Sequence, residues 1–240
     1  MHTSNRPAQR LLWAQTALND PALALESASA DASFRSYWRG CSDGRTWIVM
    51  DAPPDKEDIL PWLQMAKRLT DAGLNAPFVH GVDADNGFVL MSDLGTRLFL
   101  PELTDESVDG LYSQALDALL RMQTRVPSTD LPAYDEARLV AEMELMPTWF
   151  FQRHLGFNPE CEQWDIIESA FRALVNNANR QTACFVHRDY HSRNLLISGS
   201  GDPGILDFQD AVHGPMTYDL VSILRDCYIA WPEARVQGWV

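Results

Sequence analysis

Asp189 stands at the end of His187-Arg188-Asp189, Asn194 follows it by five positions, and a second aspartate, Asp207, precedes Phe208. The order H-R-D-x-x-x-x-N followed by D-F matches the catalytic and metal loops of phosphoryl transfer. That chemistry asks for these residue types at this spacing. Asp189 would sit beside an acceptor hydroxyl, orient it and take its proton. Asn194 and Asp207 would face the triphosphate of ATP and hold Mg²⁺, a hard cation that prefers oxygen ligands and keeps several waters.

The surrounding residues read as elements able to position these groups. The apolar run 183–186 suits a buried strand, 195–197 a second strand and 205–208 a third, with the turn-forming stretch 199–204 between the last two. A hairpin built this way brings Asn194 next to Asp207. Two other patterns overlap the segment. Gly199 to Gly204 fits G-x-G-x-x-G, yet a dinucleotide fingerprint needs a helix after it, and here an apolar strand follows. His187-x-Asp189-x-His191 could be a transition-metal site of a hydrolase, but that leaves Asn194 and Asp207 without a role. His187 reads instead as a structural histidine bracing the loop.

The chain has 240 residues, 46% hydrophobic and 22% charged, an ordinary globular composition large enough for one big domain or two lobes. Its 19 Lys and Arg against 33 Asp and Glu give a formal charge of −14. That balance argues against nucleic acid as a partner and weakly favours a cationic one, although it also simply keeps a protein soluble. Cys41, Cys161, Cys184 and Cys227 are scattered without a C-x-x-C pair, and Cys184 and Cys227 lie in apolar contexts that suggest buried thiols. The pattern suits a reducing compartment. No apolar run has the length of a signal peptide core or a membrane span, so a cytoplasmic, membrane-free protein is expected.

An amphipathic helix is expected over 7–19 and a β-hairpin over 34–38 and 47–50, turning at 42–44. Asp55 would cap a helix over 56–72 that ends at Gly73, and strands follow at 78–81 and 88–92. The pattern then turns helical at 105–123, 135–151, 160–175 and 218–229, with apolar stripes (Trp149, Phe150, Trp164, Phe171, Leu174) that predict core faces. The fold class expected is α+β with two lobes: residues 1–96 as a small antiparallel sheet that binds nucleotide, and 97–240 as a mainly helical catalytic lobe. The boundary at 91–96 would be a hinge whose backbone meets an adenine ring, making Met91 and Asp93 candidate nucleotide contacts.

The segments 186–195, 205–215 and 218–226, with Asp31-Ala32-Ser33-Phe34-Arg35 and Met50-Asp51-Ala52-Pro53-Pro54, resemble the aminoglycoside phosphotransferase and choline kinase family. Within it they are most similar to bacterial kinases acting on the anomeric hydroxyl of N-acetylated amino sugars. The resemblance covers most of the chain and implies a protein-kinase-like fold using ATP and Mg²⁺. Asp189 is then the catalytic base, and Asn194 and Asp207 the metal ligands. Ser33, Phe34 and Arg35 form the loop over the phosphates, His191 and Asp210 contact the sugar, and Asp219 braces the catalytic loop. The implied substrate is N-acetylmuramate or N-acetylglucosamine in cell-wall sugar recycling, taken by a monomer. The alternatives are a kinase for an aminoglycoside or an amino alcohol such as choline, or a nucleotide- or sugar-binding module without turnover. Two departures stand out. The strand 47–51 lacks the lysine usual in kinase-like proteins, which would leave phosphate charge to Arg35, Arg39 and the metal. The family also continues well past residue 229, so the helical lobe and its acceptor wall are expected to be truncated at Val240.

Overall fold

The computed structural model describes residues 6–30, 34–199 and 201–240. The first half builds a five-stranded antiparallel sheet from β1 (Glu26–Ala30), β2 (Ser36–Ser42), β3 (Arg45–Asp51), β4 (Val79–Asp83) and β5 (Phe88–Ser92), in the order β1-β2-β3-β5-β4, with continuous apolar runs in its central strands. The β2–β3 hairpin closes on Asp43 and Gly44, whose φ of 50° and 71° are what a tight primed turn requires. Side-chain alternation splits the central strands between two layers. Val49 and Leu90 pack under α1 (Arg6–Leu18) with Ala14, whereas Met50, Val89 and Met91 join Trp62, Met65 and Leu69 of α2 (Leu60–Asp71).

α2 starts at Leu60, four residues later than the helix expected from 56 after a cap at Asp55. The Asp58 carboxylate takes the Leu60 N–H at 2.9 Å, and Pro61 suits the first turn because its missing N–H has no partner to lose there. Gly73, with φ 78°, ends the helix as its sequence suggests. Asp51 closes β3 in a buried cluster, 2.7 Å from both Arg6 Nε and Arg10 Nη1, and the Arg10 guanidinium lies 3.6 Å from the Trp38 ring centre. Gly87 lets the β4–β5 turn press against the chain after β3. A Cβ there would fall 1.8 Å from the Ala52 carbonyl oxygen, and the φ is 70°.

The second half contains α3 (Phe99–Glu102), α4 (Val108–Arg125), α5 (Glu136–Met143), a π-helical segment (Met146–His154), α6 (Cys161–Asn179), β6 (Ala183–Val186), β7 (Leu195–Leu196), β8 (Gly204–Ile205), β9 (Val212–Pro215), α7 (Tyr218–Leu224) and α8 (Glu233–Trp239). α4 is its central helix, burying Leu111, Tyr112, Ala115, Leu119 and Met122 along one stripe. β6 pairs with β9 and β7 with β8, both antiparallel.

Several expectations need correction. The helix expected over 135–151 breaks after Met143, because Pro147 lacks the N–H a continuous helix would use, and the chain re-forms as the π segment. The aromatic stripes there are not core: Trp149 is 63% exposed, Phe150 50% and Leu174 59%, and α6 buries only Val175. The strand expected over 205–208 stops at Ile205, since Asp207 turns left-handed, and the last helix ends at Leu224 rather than 229. β1 and α8 were not legible as elements. Cys227 is exposed and Cys184 only half-buried, and all four thiols are free. Among the described residues no helix is long and apolar enough to cross a membrane.

Candidate active site

β6 delivers the chain to His187, and three anchors then fix the loop that carries Asp189. The fully buried Asp219 at the start of α7 accepts the backbone N–H groups of His187 at 2.7 Å and Arg188 at 3.0 Å. Tyr190, also fully buried, donates its hydroxyl to the Ala115 carbonyl of α4 at 2.8 Å. Asp226 takes the Ser192 N–H at 2.9 Å and also its hydroxyl. Arg188 bends through a φ of 77° to meet these constraints. The His187 ring is completely enclosed, with Nε2 2.9 Å from the Leu206 carbonyl oxygen, so it links the loop to the strand leading into Asp207.

The β7–β8 hairpin brings Asn194 and Asp207 together. Asn194 donates its amide to the Asp189 carbonyl at 2.9 Å and reaches Asp207 Oδ2 at 3.4 Å. The Leu206 N–H returns to the Asn194 carbonyl at 3.0 Å, and Gln209 donates to Asp207 Oδ1 at 2.8 Å. Burial and then the nearby Asp207 charge raise the Asp189 carboxyl pKa, against the pull of His191 and Arg188. Burial also pushes Asp219 up to about 7, despite its two N–H donors, and pushes His187 down to about 4. Asn194 and Asp207 offer hard oxygens, and Mg²⁺ needs only one or two protein carboxylates because phosphates and water complete its shell. No group of three or more His, Cys, Asp or Glu able to hold a metal occurs among the described residues.

A cavity of about 410 Å³ lies between the sheet and these loops, bounded by Ile48 and Met91 on one side and Leu196 and Leu206 on the other, with the segment 92–96 at its edge. Asn194, Asp207 and Arg193 also line it. Asp93 lines it too, but its carboxylate is held by Arg39 through bonds of 2.7 and 3.0 Å, and Arg39 also reaches the Gly95 carbonyl at 3.1 Å. Arg39 is therefore engaged at the hinge, with its guanidinium on Asp93 and the Gly95 carbonyl. Met50, two residues beyond Ile48 on the same face of β3, is fully buried, and the strand carries no lysine. Phe34 is 60% exposed, its N–H 3.1 Å from Glu57, and Arg35 is half-buried; Ser33 lies outside the described residues.

A second cavity of about 470 Å³ opens on the other side of Asp189, lined by Arg188, Glu142, Tyr134 and Tyr218 with apolar residues of α5. Glu142 receives Arg188 Nη2 at 2.5 Å, the Tyr218 hydroxyl at 3.2 Å and the Tyr134 hydroxyl. His191 and Asp210 do not line this cavity. The His191 ring meets Tyr228 edge-on at 5.3 Å, and the exposed Asp210 carboxylate sits 3.4 Å from Gln209. Sequence reasoning missed Glu142, Tyr134 and Tyr218, for which the arginine of H-R-D was the one available hint.

The family model of the phosphotransferase enzyme family matches residues 24–240. An N-acetylmuramate/N-acetylglucosamine kinase of Pseudomonas putida is 40% identical over 245 residues, covering 98% of this chain and 72% of that protein. One of Pseudomonas aeruginosa is 45% identical over 218 residues, covering 91% of this chain and 64% of that protein. The chain thus spans about two thirds of the length of the curated relatives it matches. Among solved structures, the GDP and kanamycin complex of an aminoglycoside phosphotransferase superposes with a TM-score of 0.68 at 18% identity, covering 97% of this chain and 80% of that one. The Streptomyces rimosus aminoglycoside phosphotransferase with ADP and streptomycin gives 0.67 at 16% identity, covering 97% and 87%. The sheet, the helical half and the loop order all agree with that protein-kinase-like fold, and the chain belongs to the phosphotransferase enzyme family.

Proposed function

We propose that the chain transfers the γ-phosphoryl group of ATP to the anomeric hydroxyl of an N-acetylated amino sugar, N-acetylmuramate or N-acetylglucosamine. The observation that carries this reading is the meeting of Asn194 and Asp207 at the mouth of the 410 Å³ cavity, beside the loop that bears Asp189. The names of the curated relatives support the acceptor class. Residues 1–96 would hold the adenine and ribose, and residues 97–240 the reacting groups. The apolar walls at Ile48, Met91, Leu196 and Leu206 suit a planar base.

Asn194 and Asp207 would hold Mg²⁺, which supplies charge neutralisation to the phosphate oxygens when bound. Asp189 orients the acceptor hydroxyl and accepts its proton, and the upward displacement of its pKa makes it a better base than an exposed aspartate. An anomeric hydroxyl is more acidic than an ordinary alcohol, which lightens that demand. The anchors at Asp219, Ala115 and Asp226 keep the loop in place, so catalysis rests mainly on positioning and electrostatics. The acceptor class would suit a cytoplasmic role in reuse of cell-wall sugars.

The test is Mg²⁺-dependent ADP release with N-acetylmuramate, N-acetylglucosamine, choline and kanamycin, run beside Asp189→Asn. Release on the amino sugars should fall in the variant by a factor on the order of 10²–10⁴. Near wild-type turnover by a folded Asp189→Asn protein would remove Asp189 from the reaction.

A further inference from the structure

We propose that Arg193 is the cation that meets the phosphates of the nucleotide, in the role for which β3 carries no lysine. The inference rests on the phosphotransfer reading above and adds the side chain that neutralises the donor's charge.

Among the described residues two basic side chains belong to the lining of the 410 Å³ cavity, Arg39 and Arg193. Two acidic residues, Asp93 and Asp207, line it as well, so its formal charges cancel before a polyanion arrives. Arg39 is already committed, its fork closed on the Asp93 carboxylate at 2.7 and 3.0 Å. Arg193 is not. Among the described residues its guanidinium makes no hydrogen bond or ion pair, and it rests over the Tyr228 ring, 4.8 Å from the ring centre. A guanidinium seated on an aromatic ring keeps N–H donors available, and its fork matches two phosphate oxygens at once. The Asp207 charge is answered by the metal, which leaves Arg193 as the lining cation with charge to spare.

The seat of this arginine is fixed from below. Asp226, 7% exposed, accepts the Ser192 N–H at 2.9 Å and the Ser192 hydroxyl through one oxygen, and the Tyr228 N–H at 2.9 Å through the other. One buried carboxylate therefore holds both the residue before Arg193 and the ring on which Arg193 rests. The His191 ring, edge-on to Tyr228 at 5.3 Å, braces that ring further. Asn194 is the next residue in the chain, so the arginine and a metal ligand would approach the phosphates from one anchored loop.

Nucleotides that differ in phosphate number are the probe. Calorimetric binding of ATP, ADP and adenosine, with Mg²⁺ present, would be measured on wild type, Arg193→Gln and Arg193→Lys. Arg193→Gln should weaken ATP by about tenfold or more, ADP by less and adenosine not at all. Arg193→Lys keeps the charge without the planar fork and should recover part of the ATP affinity. In ADP release with N-acetylglucosamine, the KM of ATP should rise in Arg193→Gln while the KM of the sugar stays unchanged. The proposal is overturned by unchanged ATP affinity in Arg193→Gln, or by a rise confined to the KM of the sugar. Equal weakening of ATP and adenosine would also overturn it, since that marks a merely structural role. If no acceptor is phosphorylated but the graded loss appears, the transfer reading fails and the assignment of Arg193 stands. If phosphorylation proceeds and the loss does not follow phosphate number, the transfer reading stands and the assignment fails.

Discussion

His187 and Asp219 are neighbours whose titrations should pull stability in opposite directions, and separating them tests the account of the loop. Burial holds the imidazole near 4, against its ordinary value of 6.5. The unfolded chain therefore takes up that proton first, and stability is lost as pH falls from about 6.5 towards 4. At about 1.4 kcal/mol per pH unit this amounts to about 3 kcal/mol. Burial holds the Asp219 carboxyl near 7, against 3.8, so the folded state keeps its proton longer. Its contribution is fully present below 3.8 and is lost as pH rises towards 7, by about 4 kcal/mol. In wild type the two nearly offset each other between pH 4 and 6.5. Urea unfolding of wild type, His187→Gln and Asp219→Asn at half-unit steps from pH 4 to 7.5 should expose them. Relative to wild type, His187→Gln should gain stability as pH falls, and Asp219→Asn should gain as pH rises. Titrations elsewhere in the chain cancel in these differences. An Asp189→Asn control removes the neighbouring charge that adds to the Asp219 shift. Two flat difference curves, or two of the same sign, would refute the claim that burial dominates both groups.

Gly87→Ala should cost about 2–4 kcal/mol in urea unfolding, since the new Cβ would fall 1.8 Å from the Ala52 carbonyl at a left-handed φ. Arg10→Ala should cost about 3 kcal/mol, because Asp51, 4% exposed, would keep only Arg6 as its cation. A loss that disappears in high salt would instead mark the pair as a surface interaction. Asp207→Asn should leave stability within about 1 kcal/mol of wild type while Mg²⁺-dependent ADP release collapses. A variant with wild-type turnover would place the metal elsewhere.

The parts of the site legible in the sequence were those written within a few residues of one another. Asp189, Asn194 and Asp207 fall inside one loop and one hairpin, and turn residues between apolar runs announced that hairpin. The aromatic and β-branched runs at 34–38 and 47–50, separated by turn residues, likewise revealed the first hairpin of the sheet. What stayed hidden depends on distant pairing. Tyr134, Glu142 and Tyr218 come from different elements, with 46 residues separating Glu142 from Arg188 and 76 separating it from Tyr218, and no local pattern announces them. The exposure of Trp149, Phe150 and Leu174 escaped for a related reason: helical periodicity tells which face is apolar, not whether anything packs on it. The Arg39–Asp93 pair stayed hidden for the same reason, since 54 residues separate its partners.

Asp207 sits at a φ of 61°, in the region where most side chains are strained and aspartate, asparagine and glycine are tolerated best. The backbone therefore narrows which substitutions can persist at this position over evolutionary time. Both of the comfortable replacements discard the carboxylate, and glutamate, which would keep it, is resisted by the turn. A gene copy drifting at codon 207 would thus lose its charge well before its architecture. Its descendants would be folded, cleft-bearing shells without turnover, so silent paralogues would form by a single conservative-looking change.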